Sequence, residues 1–394
     1  MKIKISTQKQ ELKHVGIWQN GMNTNKIKIL NGIHSHTNSK YANFINSLKT
    51  TDGFSQNNHK SFFCCLEGSE KNFNNIKFLK KVYNLNNNTK IIIIKIKLYR
   101  IFGVLKLYFL QRYLLRKEFT KILNQIKPNL VYTRSFLLSE LSIQNKIPVI
   151  LESHASPFKN NFEIRNFFKK YSKNQFLKKL VTIHPILKKG FIKRGVPRDK
   201  IEIVLDAADN KIFKFKRKKT KSFIIFYMGS FFKYKGVFTI LKTAKLLKSF
   251  KFIMVGGSGK ELLDTQKFIK NNKIKNVKIL PWVTMNKLPN LISKAKLLLL
   301  VPEKSDPSSN WTSPVKLNEY LSTGIPLICS DIPSLTYTLS KSVVTFSKAG
   351  DEKNLAKTIQ KIKINYTSFV KKAKKGINYS KKNSYKIRSQ KILK

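Results

Sequence analysis

Short apolar runs alternate with longer stretches of helical periodicity along most of the chain. In the second half the runs are FIIFYM (223–228), FKFIMV (250–255), VKIL (277–280), KLLLLV (296–301), IPLIC (325–329) and SVVTF (342–346). Between the first two, Val237, Ile240, Leu241, Ala244 and Leu247 recur near the 3.6-residue period that buries one face of a helix. Strands separated by helices at this rhythm need right-handed crossovers, hence a parallel sheet covered on both faces. Such sheets bind ligands beyond the carboxyl ends of their strands. The first half repeats the rhythm less cleanly, with KIKIL (26–30), KSFFCCL (60–66), NLVYTRS (129–135), PVILESH (148–154) and KLVTIH (179–184) as strands. The reading is therefore an α/β protein of two facing doubly wound, Rossmann-like domains.

The expected boundaries are an unassigned extension over 1–26, a first domain over 27–215, a second over 216–375, and a closing helix over 376–394 that returns to the first domain. Ile91 to Phe119 and Phe162 to Arg194 mix apolar and basic residues without a clean stripe. They read either as buried helices with Lys on their rims or as a face resting on an anionic membrane.

Length and composition narrow the class. With 394 residues, 41% of them apolar, the chain can fill two cores, which excludes a disordered or disulfide-stapled protein. There are 78 Lys+Arg against 20 Asp+Glu, a formal charge of +58, yet only nine of the basic residues are Arg. Arg supplies the bidentate contacts of nucleic-acid readout, and Lys acts as a point charge. No base-stacking module accompanies the charge, so the excess fits a compositional bias better than a nucleic-acid partner. Cys64, Cys65 and Cys329 form neither a disulfide framework nor a metal spacing. The N-terminus lacks a signal-peptide core, and the apolar run from Ile91 to Leu115 is broken by Lys95, Lys97, Arg100, Lys106 and Arg112. The expectation is a cytoplasmic protein, at most peripheral on the inner face of the cytoplasmic membrane.

The chemistry concentrates in TSPVKLNEYLSTGIPLICSD (312–331). Ser313 reads as an N-cap and Pro314 as the first helical residue. A helix starting just after the loop of strand 296–301 points its free N–H groups at the ligand-binding edge, an anion site strengthened by Lys316. Glu319 is then a carboxylate beside a phosphate, suited to accepting hydrogen bonds from a sugar diol. In GSFFKYKGV (229–237), Gly229 lets a backbone approach the ligand and Lys235 offers a cation to a diphosphate. Gly256 and Gly257 in VGGSG (255–259) form a second glycine-rich turn after a strand, without the spacing of a dinucleotide fingerprint. His154 sits at the carboxyl end of its strand, with Glu152 on the same side. His34-Ser-His36 alone is too sparse for a metal site.

These motifs, in this order, resemble the family 4 (group 1) retaining glycosyltransferases of the GT-B fold, in the S-P-x-K-x-x-E-Y variant. Glu319 through Gly324 and Pro326 match the second half of the family's donor-binding pattern. Its first Glu falls on Trp311, and an Arg common after the family's glycine falls on Ser230. Asn31-Gly32 occupies the acceptor-side loop, and Gly195-Val196-Pro197 to Phe213 the segment closing the first domain.

The resemblance implies transfer of a sugar, with retention, from a nucleotide sugar of UDP or GDP type to a glycan or lipid-linked acceptor hydroxyl. The pathway it implies is cell-surface polysaccharide, lipopolysaccharide or glycolipid synthesis. It makes His154, Lys235 and Glu319 the catalytic candidates. Gly229, Ser230, Lys235, Gly256, Gly257, Ser313, Pro314, Lys316 and Glu319 become donor-binding candidates, with no metal and no other cofactor expected. A GT-B-fold nucleotide-sugar epimerase is the alternative, and a basic nucleic-acid-binding protein a more distant one.

Overall fold

In the computed structural model the described residues are 26–37, 42–96, 99–157, 162–213 and 215–394. Of the extension expected over 1–26, residues 1–25 therefore lie outside them. Two fully parallel sheets form, one in each half of the chain. The first joins β1 (Lys28–His36), β2 (Lys60–Leu66), β3 (Lys90–Ile94), β4 (Leu130–Thr133), β5 (Val149–Glu152), β6 (Leu177–Thr182) and β7 (Ile201–Ile203) in the order 3-2-1-4-5-6-7. The second joins β8 (Ile224–Met228), β9 (Lys251–Gly257), β10 (Val277–Pro281), β11 (Leu297–Leu300), β12 (Leu327–Ser330) and β13 (Thr345–Ser347) in the order 10-9-8-11-12-13. In each sheet the order reverses beside its first strand, which opens a crevice at the carboxyl end there. Helices cover both faces, so the central strands are buried throughout, as LLLL in β11 shows.

β3 departs from the sequence reading. IIII (91–94) runs directly into KIKLYRIF, so no turn signal separates strand from helix. The structure ends the strand at Ile94 and places helices at Tyr99–Val104 and Tyr108–Ile126. Ser313 departs too. The helix begins at Val315 with Pro314 as its N-cap residue, and no side chain caps it. Ser313 Oγ instead accepts the backbone N–H of Asp206, 3.0 Å away, and so ties the second domain to the segment that leaves the first.

That segment is a junction. Asp206 accepts from Asn46 of the first domain through its carboxylate (2.8 Å) and from Asn318 of the second through its carbonyl (2.7 Å). The chain then crosses back. After the long helix Tyr366–Lys381, the last helix, Tyr385–Leu393, lies against the helix Ala42–Gln56 of the first domain. The close approach is made at Gly53, where any Cβ would strike the Tyr385 carbonyl. Ile392 completes an apolar cluster with Ile29, Phe54, Leu130, Tyr132, Ile150, Val181 and Val204 on one face of the first sheet.

Ile392 is fully buried there, so Ile392→Ala leaves a cavity in the first domain, not the second. The expected cost is roughly 2–5 kcal/mol. Denaturant unfolding followed by first-domain probes measures it, and a loss below about 0.5 kcal/mol would mean that the last helix only rests on the surface.

Candidate functional site

The carboxyl ends of the two sheets face each other across a cleft of about 950 Å³ lined by both domains. On the second-domain side, β8 delivers Gly229 and Ser230, β9 delivers Gly256, and the short turn Lys233–Lys235 carries Lys235. The helix Val315–Ser322 adds Lys316 and Glu319, with Ser313 and Pro314 just before it. On the first-domain side His154 follows β5, and His34, Asn46 and Arg134 stand nearby. The structure thus brings His154, Lys235, Glu319, Gly229, Ser230, Gly256, Ser313, Pro314 and Lys316 to one cleft. Gly257 is not among the lining residues. Its missing side chain makes room for the Phe231 ring, and its carbonyl accepts from Trp282 N–H at 3.0 Å.

Local packing explains the two glycines that do line it. Gly229 has φ +147°, and a side chain there would collide with the Lys316 ammonium. Gly256, at φ +118°, packs directly on the Gly229 backbone. Lys316 Nζ lies 5.3 Å from the centre of the Tyr227 ring, and Lys235 Nζ lies 4.6 Å from that of Tyr234. Lys316 lies in the first turn of an uncapped helix, and Lys235 lines the same cleft as that turn. Two cations and a helix N-terminus converge on one small volume, which suits a multiply charged anion.

Burial changes how these groups titrate. It pushes the Lys316 ammonium down to about 7; Lys235 adds to the shift and Glu319 opposes it. It pushes the Glu319 carboxyl up to about 7, with Lys316 opposing and Asp209 adding. Lys235 is lowered as well, by burial against a smaller pull from Asp306.

Opposite them, His154 Nε2 lies 2.7 Å from Glu152 Oε1 and 4.0 Å from Asp206 Oδ1. Among the described residues, Glu152, His154 and Asp206 are the one trio whose potential metal-binding atoms lie within 4.8 Å of one another. The cationic position beside these carboxylates is taken by protein: Arg388 Nη2 is 2.6 Å from Glu152 Oε2 and 3.9 Å from Asp206 Oδ1. His34 and His36 are engaged elsewhere. His34 Nε2 is 2.7 Å from Ser135 Oγ, and burial, aided by Arg112, pushes its ring down to about 4. His36 Nδ1 donates to the Glu67 carbonyl at 2.7 Å.

Sequence reasoning did not single out Arg134, Asp206 or Arg388. Asp206 lay in a motif read as structural. Arg388 had one faint mark, an Arg in a tail where Lys is the rule.

Residues 208–383 match the family described as glycosyl transferases group 1. The match spans the second of the two domains and most of the helical crossing after it. The whole fold is that of solved glycosyltransferases. Anabaena HepE, solved in complex with UDP and glucose, aligns over 93% of this chain and 98% of its own at 12% identity and a TM-score of 0.69. Staphylococcus aureus TarM, solved as a mutant with Fondaparinux, alpha-GlcNAc-glycerol and UDP, aligns over 93% and 98% at 10% identity and a TM-score of 0.70. The sucrose-phosphate synthase of Thermosynechococcus elongatus aligns over 92% and 96% at 13% identity and a TM-score of 0.68. At these identities the likeness is one of fold, the two-domain GT-B architecture. No curated protein matches the sequence. The matched stretch supplies the lysines, the uncapped helix and Glu319, and the preceding domain supplies His154.

Because Lys316 and Glu319 both change charge near pH 7, anion binding should be pH-dependent in both directions. Above pH 7 Lys316 is neutral in the free protein, so an anion bound beside it takes up a proton and binds more weakly as pH rises. Below pH 7 Glu319 is protonated and must release a proton to accept hydroxyl hydrogen bonds as a carboxylate. Calorimetry of UDP binding in buffers of different ionisation enthalpy should show an affinity maximum near neutrality. Flat affinity between pH 6 and 9 without proton exchange would contradict the assignment.

Proposed function

We propose that the protein is a retaining glycosyltransferase, moving a sugar from a UDP-type nucleotide sugar to an acceptor hydroxyl. The observation that carries this reading is one cleft lined by Lys235, by Lys316 packed against Gly229 and by an uncapped helix start, with His154 on its first-domain side. HepE, of the same fold, has also been solved with UDP-glucose. A departing nucleoside diphosphate gains negative charge, and the two ammoniums and the helix N–H groups are already placed to receive it. Glu319 holds the ribose diol of the donor. Ser230 and Gly256 let the diphosphate approach the backbone, and Ser313 and Pro314 set the start of the helix.

His154 meets the acceptor side and bonds a sugar hydroxyl at the reacting centre. Two domains meeting across a cleft can exclude the water that would otherwise hydrolyse the donor. Glu152, the carboxylate nearest His154, is held by Arg388 and Tyr132. That occupancy favours a front-face displacement over a covalent glycosyl intermediate. No residue of this scheme requires a metal, because the cations come from Lys and Arg.

The acceptor we infer is membrane-borne, in polysaccharide, lipopolysaccharide or glycolipid synthesis. His34 is shared between the main cleft and a second cavity of about 720 Å³, lined by aromatic residues including Tyr99, Tyr108, Phe136 and Phe162. Around it Val104, Leu105, Tyr108, Phe109, Tyr113 and Phe162 are exposed, interleaved with Arg112, Arg116 and Lys170. Among the described residues no helix is long and apolar enough to cross a membrane. The face therefore fits peripheral docking on an anionic leaflet.

A panel of UDP-, GDP- and ADP-sugars screened by thermal stabilisation tests the donor class, since a bound donor raises stability by mass action. Anomeric analysis of the product tests retention and separates transfer from epimerisation. Lys235→Ala should weaken a nucleoside diphosphate more than the bare nucleoside, with a gap that shrinks as salt rises. Equal losses would point to a general disturbance of the loop after Gly229. Phe109→Ser with Tyr113→Ser should abolish sedimentation with phosphatidylglycerol vesicles and leave UDP affinity unchanged; sedimentation equal to wild type removes this face from the docking site.

A further inference from the structure

We infer that Arg388, on the last helix, is a positioning residue for His154 and acts through Glu152. This inference rests on the transferase reading and adds to it a residue from outside the cleft.

Arg388 is 2% exposed, and all its donor atoms are engaged. Nε donates to the Leu205 carbonyl at 3.0 Å. Nη1 donates to Thr50 Oγ1 at 3.0 Å and to Tyr132 Oη at 3.2 Å. Nη2 donates to Glu152 Oε2 at 2.6 Å. Tyr132 Oη donates to the same Glu152 oxygen. With Oε2 filled from two sides, the carboxylate has one oxygen left, and Oε1 is the atom 2.7 Å from His154 Nε2. Burial alone would raise the Glu152 carboxyl; Arg388 chiefly, with His154 and Arg134, holds it well below the usual carboxylate range.

An ionised Oε1 accepts only, so it selects the ring tautomer with its proton on Nε2. Nδ1 is then the nitrogen left to accept a hydrogen bond from a substrate hydroxyl. His154 itself is only partly buried and lines the cleft. The ring is thereby fixed in one orientation and one tautomer by a cation that arrives 234 residues later in the chain. A Lys could supply the charge but not the planar fork that reaches Leu205, Thr50, Tyr132 and Glu152 together. Arg at 388 in a chain with 78 Lys+Arg, nine of them Arg, is consistent with that geometric demand.

The test uses the full-length protein labelled with 15N-histidine, with His154 assigned by loss of its signal in His154→Gln. Wild type should show the His154 ring with its proton held on Nε2 in long-range 1H–15N spectra. In Arg388→Lys and in Glu152→Gln the ring should lose that single tautomer. UDP-glucose turnover should fall at least tenfold, with UDP affinity within twofold of wild type. UDP affinity also reports folding, and Glu152→Gln keeps the local shape if Arg388→Lys proves too disruptive. An unchanged His154 signature in a folded variant overturns the inference, as does a turnover loss matched by an equal loss of UDP affinity. A wild-type protein that binds no nucleotide sugar defeats the transferase reading instead, and the ring signature still decides the role of Arg388.

Discussion

Arg388 and Glu152 meet 2.6 Å apart where almost no water reaches, and neither charge could remain there without the other. Breaking such a pair is far more costly than never having made it, because one uncompensated charge stays buried. The pair joins β5 to the last helix and stands beside the junction at Asp206. The orientation of His154 and the docking of the chain end are consequences of one desolvated ion pair.

The same constraint explains where the acidic residues are. The chain has 20 Asp and Glu in all, yet Asp52, Glu152, Asp206, Asp209 and Glu319 are all buried. Lys49 bonds Asp209 at 2.6 Å and lies 3.6 Å from Asp52, pinning the helix Ala42–Gln56 to the interdomain segment. With 78 Lys+Arg against 20 Asp+Glu the protein is strongly basic, while carboxylates that hold the junction are buried. Charge sign in this protein is therefore informative mainly indoors.

Most of the fold was legible because parallel strands buried on both faces announce themselves as apolar runs. Apart from β3, and the short β7 that lies in the segment matched by the family resemblance, both sheets could be placed from such runs. β3 was lost because no turn residue separates Ile94 from the segment after it, and Lys alternates with apolar residues there. The donor-side residues were legible for a related reason: Gly229, Lys235, Pro314, Lys316 and Glu319 lie near one another in two short stretches, so local spacing reports their geometry. Arg388 was not, since it meets Glu152 only after the chain has crossed between domains twice; Tyr132 and Asp206 were not, since they approach Glu152 from other first-domain segments that local spacing does not relate to it. Ser313 was misread because its hydroxyl has two possible donors, its own helix and the Asp206 backbone, and sequence shows only the first.

The route of the last helix also bears on how the protein is made. The first domain leaves the ribosome early, but the face of its sheet around Ile29, Phe54 and Ile150 stays uncovered until Ile392 emerges. Glu152 likewise waits without its counter-ion through the synthesis of the entire second domain. The nascent chain must therefore hold a half-finished amino-terminal unit for most of translation, exposed to chaperones and proteases. A chain cut off before Tyr385 would be damaged in the part of the protein made first.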